Sequence, residues 1–176
     1  TMTTITLVAD SSLKTVPYNI TNKNLTLDLN GNALTHTEDG GQRMISFTAD
    51  NGNEHTIVVK DSSEAKTGRI EKIITNSISF GMAYTIVADK GSTLKLESGT
   101  LKSSGSGVWL DNAKFEMTGG RIDGGTSNGL MIQGGIAEKK VVESVISGGE
   151  ITGKIGIKTG SYIDLLIKGD AVITGT

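Results

Sequence analysis

The chain has 176 residues, no cysteine and a formal net charge of −2 at pH 7, and this length is typical of one domain, residues 1–176, with its own core. The absence of cysteine excludes disulfides and thiolate chemistry, and the balanced charge lacks the basic excess with which proteins neutralise nucleic-acid phosphates. No apolar run approaches the roughly 18 residues of a membrane span, so we expect neither nucleic-acid binding nor membrane insertion.

The residue types favour strands over helices. The chain contains 24 glycines, one proline and 4% aromatic residues, and its apolar segments are rich in Ile, Val and Thr. β-branched residues pack well on a pleated sheet, and glycines allow tight turns between short strands. No apolar stripe with a 3.6-residue period is sustained, so the sequence predicts an all-β chain.

Pairs of apolar residues separated by one residue recur along the chain. In chain order they are Ile5 and Leu7, Leu27 and Leu29, Ile57 and Val59, Leu94 and Leu96, Phe115 and Met117, Ser144 and Ile146 (with Ser144 an imperfect match), and Leu165 and Ile167. The step from Leu7 to Leu29 is 22 residues (29 − 7), and that from Leu96 to Met117 is 21 (117 − 96). Longer steps indicate insertions into the same unit.

Two further strands follow most of these pairs. The second strand is marked by one apolar residue, and these residues are Leu34, Ile70, Leu101, Ile122, Ile151 and Val172. The third strand comprises residues 44–48, 84–88, 107–111, 129–133 and 154–158 in successive units. Each unit therefore contains three short strands that end at Gly, Ser, Asn or Asp.

A three-strand unit of this size buries its apolar face only when it stacks on copies of itself. We therefore predict a right-handed parallel β-helix (a β-solenoid) of about seven coils, each of about 21–22 residues plus insertions. One internal ladder is predicted to contain Leu29, Val59, Leu96, Met117, Ile146 and Ile167. A β-sandwich is the alternative, but it would require hairpin turns and a more aromatic core.

The segments LTLDLNGNALT, STLKLESGTLKS and FEMTGGRIDGG resemble repeats of the right-handed parallel β-helix (pectate-lyase-like) regions in large bacterial cell-surface proteins and adhesins. The resemblance covers residues 4–176. It implies an extracellular or cell-surface location and a non-enzymatic, structural or adhesive role. Enzymes on this scaffold usually act on polysaccharides, so a carbohydrate-active enzyme or carbohydrate-binding domain remains the alternative.

No constellation typical of catalysis or metal binding stands out, so we expect no catalytic residues, no metal and no cofactor. The acids Asp28, Glu97, Glu116, Asp123, Glu143 and Asp164 are predicted mainly at outward strand positions. We expect Lys95 to lie beside Glu116, and Lys60 beside Glu97, as charge balance on a solvated face. Asp111 with Asp89 is the best remaining carboxylate grouping. The two histidines, His36 and His55, are predicted in solvated turns.

One outward position suggests a contact site. Alternation points Val108 and Leu110 inward and Trp109 outward, with Met131 outward one coil later. The same rule predicts Ile155 and Ile157 inward and leaves Gly156 as a gap outside. The predicted ligand-binding residues are Trp109, Met131, Asp111, Gln133 and Lys158, the last three forming one column.

An exposed aromatic ring offers a stacking face, which favours a glycan or a host or bacterial surface protein as partner. The alternative is that an insertion, residues 136–141 or 71–83, covers this position. Neither end of the sequence contains an obvious capping element. We therefore expect either a segment of a larger exported protein or self-association through uncapped ends.

Overall fold

The computed structural model describes residues 1–49, 54–76, 83–89 and 91–176, and within these ranges the chain is all-β without a helix. In chain order the strands are β1 (Thr3–Thr6), β2 (Ser11–Ser12), β3 (Tyr18–Thr21), β4 (Leu25–Asp28), β5 (Ala33–Glu38), β6 (Ile45–Thr48), β7 (His55–Lys60), β8 (Arg69–Ile74), β9 (Tyr84–Asp89), β10 (Ser92–Leu96), β11 (Thr100–Ser103), β12 (Ser106–Asp111), β13 (Lys114–Met117), β14 (Arg121–Asp123), β15 (Asn128–Gln133), β16 (Val142–Ile146), β17 (Glu150–Gly153), β18 (Ile155–Thr159), β19 (Ile163–Ile167) and β20 (Val172–Gly175).

The strands form three parallel sheets; each of the first six coils contributes one strand to each sheet in turn, and the last coil contributes β19 and β20 to two of them. Sheet A has the order β1-β4-β7-β10-β13-β16-β19, and sheet B has the order β2-β5-β8-β11-β14-β17-β20. Sheet C has the order β3-β6-β9-β12-β15-β18. This is the predicted right-handed parallel β-helix of about seven coils, and its interior is one continuous apolar core.

The ladder in sheet A is confirmed except for one member. Val59, Leu96, Met117, Ile146 and Ile167 lie in register on successive strands. Leu27, and not Leu29, pairs with Val59. The segment LTLDL alternates three leucines, so spacing alone allows two registers, and the strand pairing selects the earlier one. Leu29 follows the end of β4, where its amide N donates to Lys60 O at 2.8 Å and its side chain is buried at the corner.

In sheet B the predicted register is also wrong at one position. Leu34, Ile70, Leu101, Ile122 and Ile151 are in register as predicted, but Ile173 continues the ladder instead of Val172. Val172 is 53% exposed. The step from Ile167 to Ile173 is six residues, against five from Ile146 to Ile151, because the last turn is one residue longer.

All five predicted third strands are present in sheet C, and the sequence pattern missed β2 and β3 near the N-terminus. The predicted orientation of two residues in β18 is wrong. Ile155 is 46% exposed, whereas Gly156 is buried, and a methyl group on Gly156 would lie 2.6 Å from Ile173 Cγ2 in the interior. The pairing between β15 and β18 matches Asn128 with Ile155 and Leu130 with Ile157. The corner before the straight part of the strand therefore interrupts simple alternation.

The corner between sheets A and B in the second and third coils is held by a buried carboxylate. Asn30 and Gly31 adopt left-handed backbone angles (φ 46° and 79°), which asparagine and glycine tolerate. The carboxylate of Asp61, which is 1% exposed, accepts hydrogen bonds from the backbone N of Gly31 (2.8 Å), Ser63 (3.0 Å) and Gly68 (2.6 Å). Burial alone would raise the pKa of Asp61, but these hydrogen bonds outweigh it and lower the pKa.

Candidate functional site

The outer face of sheet C brings together four of the five predicted ligand-binding residues in the expected pairs. Trp109 pairs with Met131, and Asp111 pairs with Gln133, on the neighbouring strands β12 and β15. Gln133 Nε2 donates to Asp111 Oδ1 at 2.8 Å. Each of these four side chains is partly exposed. The predicted neighbour Asp89 also pairs with Asp111, on β9.

Lys158 does not lie in the predicted column. It pairs with Met131 and not with Gln133, because the register of β18 is shifted relative to the expected one. Its exposed ammonium group therefore belongs to the Trp109 and Met131 column. The column of Asp111 and Gln133 contains no lysine from β18.

Tyr84 is a member of this surface that the sequence pattern missed. Its ring centroid lies 5.5 Å from that of Trp109, at an interplanar angle of 38°, and its hydroxyl donates to Met131 Sδ at 3.4 Å. Tyr84 is 3% exposed. Burial raises its pKa, although hydrogen bonds with Ser106 and Asn128 act in the opposite direction. We name Tyr84, Trp109 and Met131 the outer cluster.

The outer cluster is not a flat, open platform. Val87, which pairs with Trp109, is buried, and Trp109 Nε1 is also buried without a hydrogen-bond partner in the part of the chain that the structure describes. Residues 136–138 of the insertion 136–141 lie beside Asp111 and Gln133. The other proposed cover, residues 71–83, includes part of β8, and its residues 77–82 lie outside the described residues.

A recess adjoins the outer cluster at the ends of β12 and β15. We name it the Asp111 recess; its volume is about 350 Å³, and it is lined by Asp111, Asn112, Gln133, Gly135, Ile136, Ala137 and Glu138. Of these residues, the sequence predicted only Asp111 and Gln133 as ligand-binding and treated the insertion 136–141 as a cover, because residues in turns and insertions have no periodic spacing.

Of the two ion pairs predicted on the solvated face, the pair of Lys95 and Glu116 is present in the part of the chain that the structure describes. Lys95 Nζ lies 2.6 Å from Glu116 Oε2, and Glu71 binds both Arg69 (2.9 Å) and Lys102 (3.0 Å). Asp28 was predicted at an outward position but is buried, and its Oδ1 accepts a hydrogen bond from the backbone N of Ser62 at 2.9 Å. Among the described residues, Lys60 forms an ion pair with Asp28 (Nζ to Oδ2, 4.0 Å) and not, as was predicted, with Glu97.

A groove on the outer face of sheet A contains two carboxylates. It has a volume of about 370 Å³ and is lined by Lys114, Phe115, Glu116, Met117, Thr118, Glu143, Ser144, Val145 and Ser147. Glu116 pairs with Val145, so Glu143 is its diagonal neighbour on β16. Diagonal neighbours on adjacent strands lie roughly 7–8 Å apart, which brings both acids to one groove.

Both histidines lie in strands, contrary to the prediction of solvated turns. His36 in β5 is buried, with Nδ1 2.8 Å from Leu13 O and Nε2 3.4 Å from Glu38 Oε2. His55 is in β7, and both of its ring nitrogens are buried without a partner among the described residues. Alternation along each strand faces the rings towards the interior, which polarity alone did not indicate.

A charged pair also lies between β5 and β8 in sheet B. Lys72, which is 0% exposed, places Nζ 2.5 Å from Glu38 Oε1. Burial lowers the pKa of Lys72 despite this partner. Burial would raise the pKa of Glu38, but the hydrogen bond and charge of Lys72 lower it. The cost of removing the charged group from water is larger for Lys72, because its side chain is fully buried, whereas the side chain of Glu38 is partly exposed to solvent.

Within the described ranges, no group of three or more His, Cys, Asp or Glu side chains is arranged to hold a metal ion. The same residues include no helix with the length and apolar character needed to cross a membrane. Comparison with models of protein families, with curated proteins and with solved structures found no match for this chain. The resemblance to β-helical repeats of bacterial surface proteins therefore stays a prediction.

Proposed function

We propose that the chain is a non-enzymatic structural and adhesive β-helical module of a bacterial cell-surface or secreted protein. The observation that carries this proposal is the parallel pairing of the strands in all three sheets along the chain. Two ion pairs, Lys95 with Glu116 and Lys102 with Glu71, join adjacent strands on the outer surface. Such a rod positions a contact surface without needing a catalytic cleft. An extracellular setting rests on the resemblance of its repeats.

The adhesive contact is assigned to the outer face of sheet C, with a glycan or a host or bacterial surface protein as partner. This face contains the one tryptophan of the chain, whose ring packs against Tyr84 and which pairs with Met131 on the neighbouring strand. Partly exposed aromatic and methionine side chains are enriched at protein contact surfaces, and an aromatic ring also packs against the apolar side of a sugar. Lys158 and Asp111 supply charge at the margin.

A binding comparison tests this contact. The labelled chain and its Trp109→Ala variant are applied to a glycan array and to bacterial and host surface proteins, with Glu64→Ala as the control because Glu64 is exposed outside this face. We expect binding by the parent and by Glu64→Ala, and at least ten-fold weaker binding by Trp109→Ala. Equal binding by all three, or binding by none, removes the contact.

The second candidate is a carbohydrate-active enzyme, and the groove lined by Glu116 and Glu143 favours it. Glycoside hydrolases act with two carboxylates about 5–9.5 Å apart, a range that includes diagonal neighbours in a sheet. Against this role, Glu116 is engaged by Lys95 at 2.6 Å. Release of reducing ends from polysaccharides that is abolished by Glu116→Gln and by Glu143→Gln would replace the structural proposal with this one.

Self-association through the ends is a further form of the structural role. Ile5 in the first coil and Ile167 in the last are in the sheet A ladder and are about half exposed. Stacking of a second copy would bury both. Sedimentation over a hundred-fold concentration range tests it, and a constant monomer mass contradicts it.

A further inference from the structure

The Asp111 recess has a wall made by a tight hairpin. Gly135 N donates to Lys140 O and Lys140 N donates to Gly135 O, both at 3.0 Å. The base of the hairpin is fixed to the next coil, because Gly134 N donates to Ser161 O at 2.9 Å. A wall with these backbone bonds is largely formed before any ligand arrives, which reduces the entropy lost on binding.

The polar groups of the recess converge from three segments. Asp111 Oδ1 accepts from Gln133, and a carboxylate retains further acceptor sites after one such bond. A methyl group on Gly135 would lie 2.8 Å from Glu138 Oε2 and 3.0 Å from both polar atoms of the Asn112 amide. Glycine at this position therefore allows the carboxylate of Glu138 and the amide of Asn112 to approach the backbone of Gly135 closely, where a larger residue has no room.

The charge of the lining restricts the ligand. Among the residues that the structure describes, its two ionisable residues are Asp111 and Glu138, both acidic, and Asp89 pairs with Asp111 on the adjoining strand. An anionic group would therefore meet like charges and no arginine or lysine of the described lining. Carboxylates and amides are, in contrast, good partners for hydroxyl groups, and Ile136 and Ala137 provide apolar contact.

We propose that the Asp111 recess binds a neutral saccharide unit. Asp111 and Glu138 accept hydrogen bonds from its hydroxyl groups, the amides of Asn112 and Gln133 supply donors, and Ile136 contacts its apolar face. The outer cluster begins two residues before Asp111 on the same face of β12, so a second unit of the same glycan reaches Trp109. This inference rests on the proposed contact through sheet C and names its ligand class.

The recess also predicts what the chain rejects. Polyuronates and sialylated glycans carry carboxylates that would approach Asp111 and Glu138 without compensation. We therefore expect neutral oligosaccharides to bind at least ten-fold more tightly than uronate oligosaccharides of equal length. The preference should decrease as salt is added, because the repulsion is screened.

Calorimetric titration of the purified chain tests the inference. The probes are neutral gluco-, manno- and galacto-oligosaccharides, oligogalacturonate, and an amine-bearing chito-oligosaccharide. The variants are Glu138→Ala, Asn112→Ala and Gly135→Val, with Glu64→Ala as the matched control, and circular dichroism and thermal unfolding verify that each variant folds. We expect each recess variant to lose at least ten-fold in affinity for the neutral ligand, while Glu64→Ala does not change it.

The outcomes separate the inference from the proposed function. If Trp109→Ala weakens glycan binding but all recess variants bind like the parent, the recess assignment is overturned and the contact through sheet C stands. Equal or tighter binding of oligogalacturonate, or binding of the amine-bearing sugar alone, also overturns the recess assignment. If neither the recess variants nor Trp109→Ala differ from the parent, or no saccharide or surface protein binds, both assignments fail.

Discussion

The corner held by Asp61 and the outer cluster around Trp109 each contain a buried polar group, but only the group in the corner has hydrogen-bond partners among the described residues. Asp61 is charged and almost inaccessible, yet three backbone N–H groups satisfy its carboxylate. Trp109 Nε1 is buried without a partner in the described residues. A satisfied buried charge fixes a corner of the coil, whereas an unsatisfied group on a partly exposed face is typical of a surface not optimised for stability alone.

The largest expected effect comes from removing the carboxylate of the corner. Asp61→Ala leaves the amides of Gly31, Ser63 and Gly68 without their acceptor and should lower the free energy of unfolding by about 3–5 kcal/mol. Denaturant unfolding measures it. Glu64→Ala, an exposed residue in the neighbouring insertion, should change stability by less than about 0.5 kcal/mol. A similar loss for both variants would show that Asp61 does not hold the corner.

The buried pair of Lys72 and Glu38 extends the comparison to an ion pair. Glu38→Gln leaves the ammonium of Lys72 buried beside a neutral amide and should cost about 3 kcal/mol. Adding Lys72→Met to that variant should recover most of the loss, because no buried charge remains. Denaturant unfolding of the two single variants and the double variant measures the coupling. If the losses in the free energy of unfolding of the two single variants add up to that of the double variant, Lys72 and Glu38 are not coupled.

Acidification should weaken the corner before it affects the outer cluster. The pKa values of Asp61, Asp28 and Glu38 are lowered in the folded chain. Their stabilisation is therefore present above the unfolded carboxyl pKa of about 4 and is lost as the pH falls through the lower folded values. Thermal unfolding from pH 7 to pH 2 should show this loss. Asp61→Asn should have a flatter profile, and an unchanged slope would oppose the assignment.

The smallest expected effect comes from removing the unpartnered polar group of the outer cluster. Trp109→Phe keeps an aromatic ring against Tyr84 but deletes the indole N–H, so lost packing and relieved desolvation act in opposite directions. Unfolding measurements should show a change below about 1 kcal/mol, whereas the corner loses several times more. A loss as large as that of Asp61→Ala would mean that the outer cluster is a structural element like the corner.

Most of the fold could be predicted from the repeat, but its register could not be fully assigned. Alternating leucines in LTLDL permit two alignments of Leu27 and Leu29, and only the pairing of β4 with β7 distinguishes them. Because the last turn is one residue longer, Ile173 and not Val172 is the last member of the internal ladder in sheet B. Simple alternation failed at Ile155 and Gly156 because the chain turns a corner there.

The candidate site was predictable only where it follows the repeat. Trp109 and Met131 are 22 residues apart (131 − 109), which is one coil, and the structure pairs them. Tyr84 carries no such signal, because its side chain reaches Met131 on a strand 47 residues away. Glu138 belongs to an insertion, and an insertion has no counterpart in other coils from which its position could be deduced.

By itself, the sequence determined the all-β class, the parallel stacking and most members of the internal ladders. These follow from local alternation repeated every coil, since each unit must bury the same face against its neighbours. The tertiary structure alone decided which polar groups meet: Asp61 with Gly31, Lys72 with Glu38, and Tyr84 with Trp109. Those contacts join residues 25 to 34 positions apart, and no periodic pattern encodes which side chains will satisfy one another.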